Sequence, residues 1–255
     1  MRSAFHSGFA LHGREPGMRT TTTALFAGTL LVSTTGLLMP TAQAALPTCF
    51  GMTVTMMGTP GPDTLIGEAD VSDVIYGGGG NDTIIGGEFY DDGTASDLLC
   101  GGPGDDHVKG ARGNDKLNGG DGNDRVDGSN GADLEQGNAG NDRVGAGSFA
   151  DADRANDTVN GGDGSDEVIG GWGKDKLSGG GGADRVIDTE CDGPTILTGG
   201  AGNDYLESWW SSFHGNICDQ VSDKVNGGGG TDTAKVDRRD SVVYVERLTR
   251  ITRLP

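Results

Sequence analysis

Gly101-Gly-Pro-Gly-Asp-Asp106-His-Val108-Lys, Gly110-Ala-Arg-Gly-Asn-Asp115-Lys-Leu117-Asn, Gly119-Gly-Asp-Gly-Asn-Asp124-Arg-Val126-Asp: from Gly101 to Gly145 the chain says the same nine-residue phrase without a break. Each phrase puts glycine at positions one and four, aspartate at position six and, with one exception, an aliphatic residue at position eight. A period this short cannot enclose an ordinary globular core. It builds a stack in which each layer buries its apolar residue only against the next.

Outward from this stretch, sixteen aspartates hold position six: 63, 73, 82, 97, 106, 115, 124, 133, 142, 157, 166, 175, 184, 204, 223 and 232. Twelve keep glycine at position four: Asp63, Asp82, Asp106, Asp115, Asp124, Asp133, Asp142, Asp166, Asp175, Asp184, Asp204 and Asp232. The turns of Asp73, Asp97, Asp157 and Asp223 lack it and are expected to hold a ligand poorly. A recurring carboxylate beside a glycine-rich turn, which adds backbone carbonyls, is an oxygen-rich set. Calcium takes 6–8 such oxygens.

Composition agrees. Glycine is 49 of 255 residues, aromatics are 5 %, and the net charge is −19. Such a chain has little bulk for a conventional core, and its acidity excludes a nucleic-acid face, which must be basic. The even spacing separates it from a disordered acidic tract.

The consensus Gly-Gly-x-Gly-x-Asp-x-U-x, with U aliphatic, resembles the haemolysin-type calcium-binding repeat (RTX, repeats-in-toxin) family, and its short secreted actinobacterial members in particular. Gly58-Thr-Pro-Gly-Pro-Asp63-Thr-Leu-Ile and Gly77-Gly-Gly-Gly-Asn-Asp82-Thr-Ile-Ile carry the likeness beyond the central run, and it covers residues 58–235. It implies an all-β fold, a right-handed parallel β-roll with two nonapeptides, 18 residues, per coil. Six residues then form the turn and three a short strand. Glycine at positions one, two and four supplies positive φ. Multiple calcium ions lie between coils on the twelve aspartates and on the turn carbonyls of Gly101, Gly110, Gly119, Gly161, Gly170 and Gly179. Asp106 stacks over Asp124, Asp115 over Asp133, Asp124 over Asp142, and Asp166 over Asp184. The inward residues are Leu65, Ile75, Ile84, Leu99, Val108, Leu117, Val126, Val144, Val159, Val168, Leu177, Val186, Leu206 and Val225.

Four features depart from the pattern. Glu135 stands at an aliphatic position with Leu134 beside it, and a one-residue slip of that strand is the preferred expectation, because an unpartnered inward charge is expensive. Asp82 to Asp97 and Asp142 to Asp157 each span six residues too many, which predicts side loops near 88–93 and 149–154. The period is lost from Asp184 to Asp223, where Trp209-Trp210 and neighbouring aromatics form a loop. The two sequons, at Asn81 and Asn156, fall inside repeats and are read as incidental.

The domain reading is residues 1–44 a secretory signal, 45–58 an N-terminal cap, 59–187 the main roll, 188–235 interrupted repeats, and 236–255 a C-terminal cap strand. The signal has Met18-Arg19, an apolar run through Met39, and Ala42-Gln-Ala44 as cleavage site. The true start is Met1 or Met18. That run is too short to span a bilayer. The expected location is therefore extracellular. There, Cys49, Cys100, Cys191 and Cys218 form two disulfides. Three connectivities exist; Cys191–Cys218 with Cys49–Cys100 is favoured. No zincin, nucleophile-elbow or phosphate-loop motif occurs. The leading function is a non-enzymatic calcium-binding protein. A calcium-dependent module that adheres to cell-surface polysaccharide or protein is the alternative, and an unrecognised enzyme a distant third.

Overall fold

The computed structural model describes residues 47–87, 95–145, 154–188, 193–208 and 221–250. Among these there is no helix. Two ten-stranded parallel sheets face each other, and the chain crosses from one to the other at every nonapeptide. The first sheet runs from Met56–Met57 through Leu98–Pro103, Lys116–Asp121 and Leu134–Ala139 to Ser241–Val243. The second runs from Thr64–Ile66 through His107–Arg112, Arg125–Asn130 and Arg143–Gly145 to Arg247–Arg250. This is a parallel β-roll.

Register follows the repeat. Val126 lies between Val108 and Val144 in the second sheet, and Leu117 pairs with Leu99 in the first. Each position-eight side chain points between the sheets. Ile75, Ile84, Leu99, Val108, Leu117, Val144, Val168, Leu177, Val186 and Leu206 are fully buried, forming one apolar column per sheet. Leu65, beside the open first coil, is only half-buried. Strands are about 4.8 Å apart in such ladders, so each aliphatic side chain touches its copies above and below.

The strands are longer than three residues. Lys116–Asp121 covers the end of one nonapeptide and the first three residues of the next. Turn backbones stack coil on coil as strands do, and hydrogen bonding continues through them, as in Gly122 N–H donating to Ala139 O at 2.8 Å. The backbone groups a lone turn would leave to water are thereby satisfied.

Glu135 does not slip. It pairs with Leu117 on one side and Val159 on the other, in register with the whole sheet, and its side chain is 0 % exposed. A slip would turn Leu134 inward but would also displace Asp133 from its column, and ten paired strands fix the frame.

The insertions leave register untouched. Ile84 pairs with Val108 and Glu135 with Val159 across 24-residue steps. The predicted side loops, with Asp91, Asp92, Asp151 and Asp153, lie outside the described residues except for Arg154. After Asp184 the 18-residue period is lost, as expected, with steps of 20 and 28 residues, but the register continues. Leu197 is fully buried between Leu177 and Val225, so a repeat the sequence had hidden sits there. Ala234 completes the second-sheet column below Leu206.

At the N-terminal end Thr48–Cys49 and Met52–Thr53 form an antiparallel pair. Cys49 is disulfide-bonded to Cys100 across 51 residues. Cys191 and Cys218 lie outside the described residues, as do the proposed signal and Trp209-Trp210. At the other end the segment contributes two short strands, one to each sheet, where a single cap strand was expected.

Candidate metal centre: two carboxylate columns

The position-six aspartates form two continuous columns, one along each edge where the chain turns. Wherever one position-six aspartate follows another, the link is the same: the backbone N–H of one donates to Oδ1 of the aspartate one coil on. Asp106 reaches Asp124, Asp124 reaches Asp142, and Asp166 reaches Asp184, at 2.8–2.9 Å. In the other column Asp97 reaches Asp115 and Asp115 reaches Asp133, both at 2.8 Å. The step absorbs the insertions: Asp82 to Asp106 and Asp142 to Asp166 are bonded in the same way across 24 residues.

Oδ1 is thus used by the fold, and Oδ2 is different. In Asp82, Asp106, Asp115, Asp124, Asp142, Asp166, Asp184, Asp204 and Asp232 it is enclosed and has no hydrogen-bond partner among the described residues. All nine belong to turns with glycine at position four. Such atoms are costly to bury unless something cationic meets them.

The glycines explain how the pocket is closed. Positions two and four have positive φ, as in Gly120 (125°) and Gly122 (137°), so the turn folds back over the carboxylate. Position one does not, contrary to the expectation that all three supply it. Its glycine is required by proximity: a methyl group built on Gly119 would overlap Asp124 Oδ2. At Gly110 it would meet Asp115 Oδ2 and, at 2.6 Å, the carbonyl oxygen of Gly128 one coil on. Gly101, Gly161 and Gly179 have the same surroundings, with the carbonyls of Gly119, Gly179 and Gly199. Carboxylate oxygen and next-coil carbonyl therefore converge on one small volume per turn. Gly170 departs, since Leu177 Cδ1 at 3.0 Å is its nearest neighbour and Asp175 Oδ2 follows at 3.2 Å.

Asp63, at the open end, is only partly buried, and its Oδ2 accepts the Thr59 N–H at 2.6 Å. Asp73 Oδ2 likewise accepts the Glu68 N–H at 2.8 Å. Asp133, Asp157 and Asp175 keep their places in the column, Asp133 N–H to Asp157 Oδ1 and Asp157 N–H to Asp175 Oδ1.

Burial pushes these carboxyls up from 3.8: Asp115 and Asp124 to about 7, and Asp106, Asp166, Asp184 and Asp204 to about 6. Desolvation is the largest cause, and charge from the aspartates of adjacent coils adds to it. Two unit charges about 5 Å apart repel by roughly 3 kcal/mol at an effective dielectric of 20. Repulsion within each column opposes its formation, and a cation beside the carboxylates would offset it. No three carboxylate, imidazole or thiol side chains converge among the described residues. A cation here must therefore be met by carboxylate and backbone oxygens together, a donor set of the hard-oxygen kind that calcium takes.

Sequence reading missed three members of the columns. Thr195 fills an aspartate place: Asp175 N–H donates to its Oγ1 at 3.4 Å and its own N–H to Asp223 Oδ1 at 2.9 Å. Asp240 and Glu246 extend the columns to the C-terminal end, accepting from Asp223 and Asp232 at 3.0 and 2.7 Å. Leu197, two residues after Thr195, was the available signal. A second ladder runs outside the first: Asn123 and Asn141 Oδ1 accept backbone N–H groups of the next coil at 2.8–2.9 Å. Asn81 and Asn156 of the two sequons do likewise.

A roll of nonapeptide coils with enclosed carboxylate columns defines a class of solenoids built to receive cations between coils. The family comparison agrees: the RTX calcium-binding nonapeptide repeat matches in four copies, at residues 57–92, 101–135, 151–186 and 192–210. The chain belongs to this family, whose repeats bind calcium. No curated protein matches the chain. Among the described residues no helix is long and apolar enough to cross a membrane.

Proposed function

We propose that the protein is a secreted, non-enzymatic calcium-binding protein whose roll closes as several calcium ions enter between adjacent coils. The observation that carries this reading is the row of enclosed, partnerless Oδ2 atoms in turns with glycine at position four. Each ion takes Oδ2 of a position-six aspartate and carbonyl oxygens of neighbouring glycines. The position-six aspartates that would hold ions stand in two columns, with Asp82, Asp106, Asp124, Asp142, Asp166, Asp184, Asp204 and Asp232 in one and Asp115, Asp133 and Asp175 in the other. Asp63 stands at the exposed start of the first row and holds its ion least well. The Cys49–Cys100 disulfide supports an oxidising compartment outside the cytosol.

The non-enzymatic reading is supported by chemistry. Among the described residues, one solvent-open hollow, lined by Asn138, Asn160 and Asp163, offers one titratable side chain and no acid–base pair. The C-terminal strands at Ser241–Val243 and Arg247–Arg250 cover the last coil as caps, a requirement of stacked repeats. Isothermal calorimetry of the chelator-stripped protein tests the reading: several ions per chain are expected, and no heat of calcium binding overturns it.

A further inference from the structure

Glu135 is the one charged side chain at a core-facing position-eight site among the described residues. Its neighbours in the sheet are Leu117 and Val159, and the polar group its carboxylate meets is the Gly128 backbone. Burial drives its carboxyl well above the ordinary value, and the charges of Asp133, Asp157 and Asp127 add to this, while the Gly128 backbone acts the other way. A fully buried acid at an aliphatic position, met by one backbone group, opposes folding.

The geometry around Gly128 shows where it points. In the turns of Gly77, Gly86, Gly101, Gly110, Gly137, Gly161, Gly179 and Gly199, the position-one cradle brings together an aspartate Oδ2 and the next coil's glycine carbonyl. At Gly128 the cradle brings together Asp133 Oδ2 and, at 2.8 Å from the same point, Glu135 Oε1. The glutamate thus reaches from the core side into the volume that the turn encloses, at the coil where the next turn departs into an insertion.

We propose that Glu135 is an additional ligand of a divalent cation held at the Gly128–Asp133 turn, entering from inside the roll. This rests on the calcium reading above. It places two carboxylates on one ion at that turn, and ligand charge is a main determinant of calcium affinity. An aliphatic residue at 135 completes the core and removes the ligand. The two roles therefore predict opposite signs.

The test is calcium titration of the full chain with Glu135→Val and Glu135→Gln, followed by circular dichroism and calorimetry. Glu135→Val restores the aliphatic column, so it folds. The proposal expects its folding midpoint to move to roughly tenfold higher calcium, with the tightest binding step lost. Glu135→Gln, which keeps the shape and one oxygen but not the charge, should fall between the two. A Glu135→Val protein that folds at the same or lower calcium than the wild type overturns the proposal, because Glu135 is then only a buried acid. A wild type that takes up no calcium overturns the parent reading instead.

Discussion

Asp115→Asn replaces one oxygen of one column and should act in opposite directions with and without calcium. The amide keeps an Oδ1 acceptor for the Asp97 N–H, so the coil-to-coil link at 2.8 Å survives. What changes is the enclosed second oxygen, which becomes an uncharged amide nitrogen. Asp115 is 1 % exposed and its carboxyl is raised from 3.8 to about 7. Taken whole, that shift is about 4 kcal/mol of opposition to folding when the group is ionised. Solvent screening near the turn leaves about 2 kcal/mol. In chelator at pH 8, Asp115→Asn should therefore favour the folded form by a factor of roughly 30. With calcium the sign reverses, since an ion loses a carboxylate and the folding midpoint moves to higher calcium. Urea titrations read by circular dichroism, in chelator and in calcium, measure both arms. A variant that is less stable in chelator, or that needs no more calcium than wild type, refutes the reasoning.

The pH dependence of the ion-free chain follows the same carboxyls. Those of Asp106, Asp115, Asp124, Asp166, Asp184 and Asp204 hold protons more tightly folded than unfolded, with folded values of about 6 to about 7. Their contribution to ion-free stability is fully present below the ordinary value near 4 and is lost as pH rises through 6 to 7. Chelated protein should gain β structure on acidification from pH 8 to pH 5, seen by circular dichroism, while calcium binding weakens over the same interval. Ala111 has φ 84°, at a position where the repeat prefers glycine. Ala111→Gly should stabilise the calcium-loaded roll by about 0.5–1 kcal/mol, the left-handed strain relieved less the entropy of glycine, as read by urea midpoint. Breaking Cys49–Cys100 with a double serine variant frees a 51-residue loop. A loss of about 2–4 kcal/mol is expected by the same titration.

The repeat was legible because its period, its aspartate and its aliphatic residue are all local. Two nonapeptides per coil put Val108, Val126 and Val144 into one column, and the structure has them there. What was not legible depended on neighbours in space. Glu135 looked like a reason for its strand to slip, yet the frame is set jointly by Leu117, Val159 and the aspartate column beside it. Thr195 does not read as an aspartate, and the 20-residue step from Asp175 hid it, although Leu197 kept the core position. The role of position-one glycine was misread for the same reason. Its need is for space against Asp124 Oδ2 in the case of Gly119, which only the folded turn reveals. The carboxylate columns were foreseen at the pairs 18 residues apart, and the six-residue excesses were read as side loops, which the 24-residue steps accommodate; passage across the 28-residue steps was not foreseen.

The central claim is that cations between coils neutralise the enclosed acids and hold the roll closed. Far-ultraviolet circular dichroism of the whole chain, with free calcium raised from chelator to about 1 mM, tests it most directly, with magnesium as control. The account predicts a largely unordered spectrum in chelator and in magnesium, becoming a β spectrum as calcium rises. A β spectrum already complete in chelator at pH 8, unchanged by calcium, would contradict it.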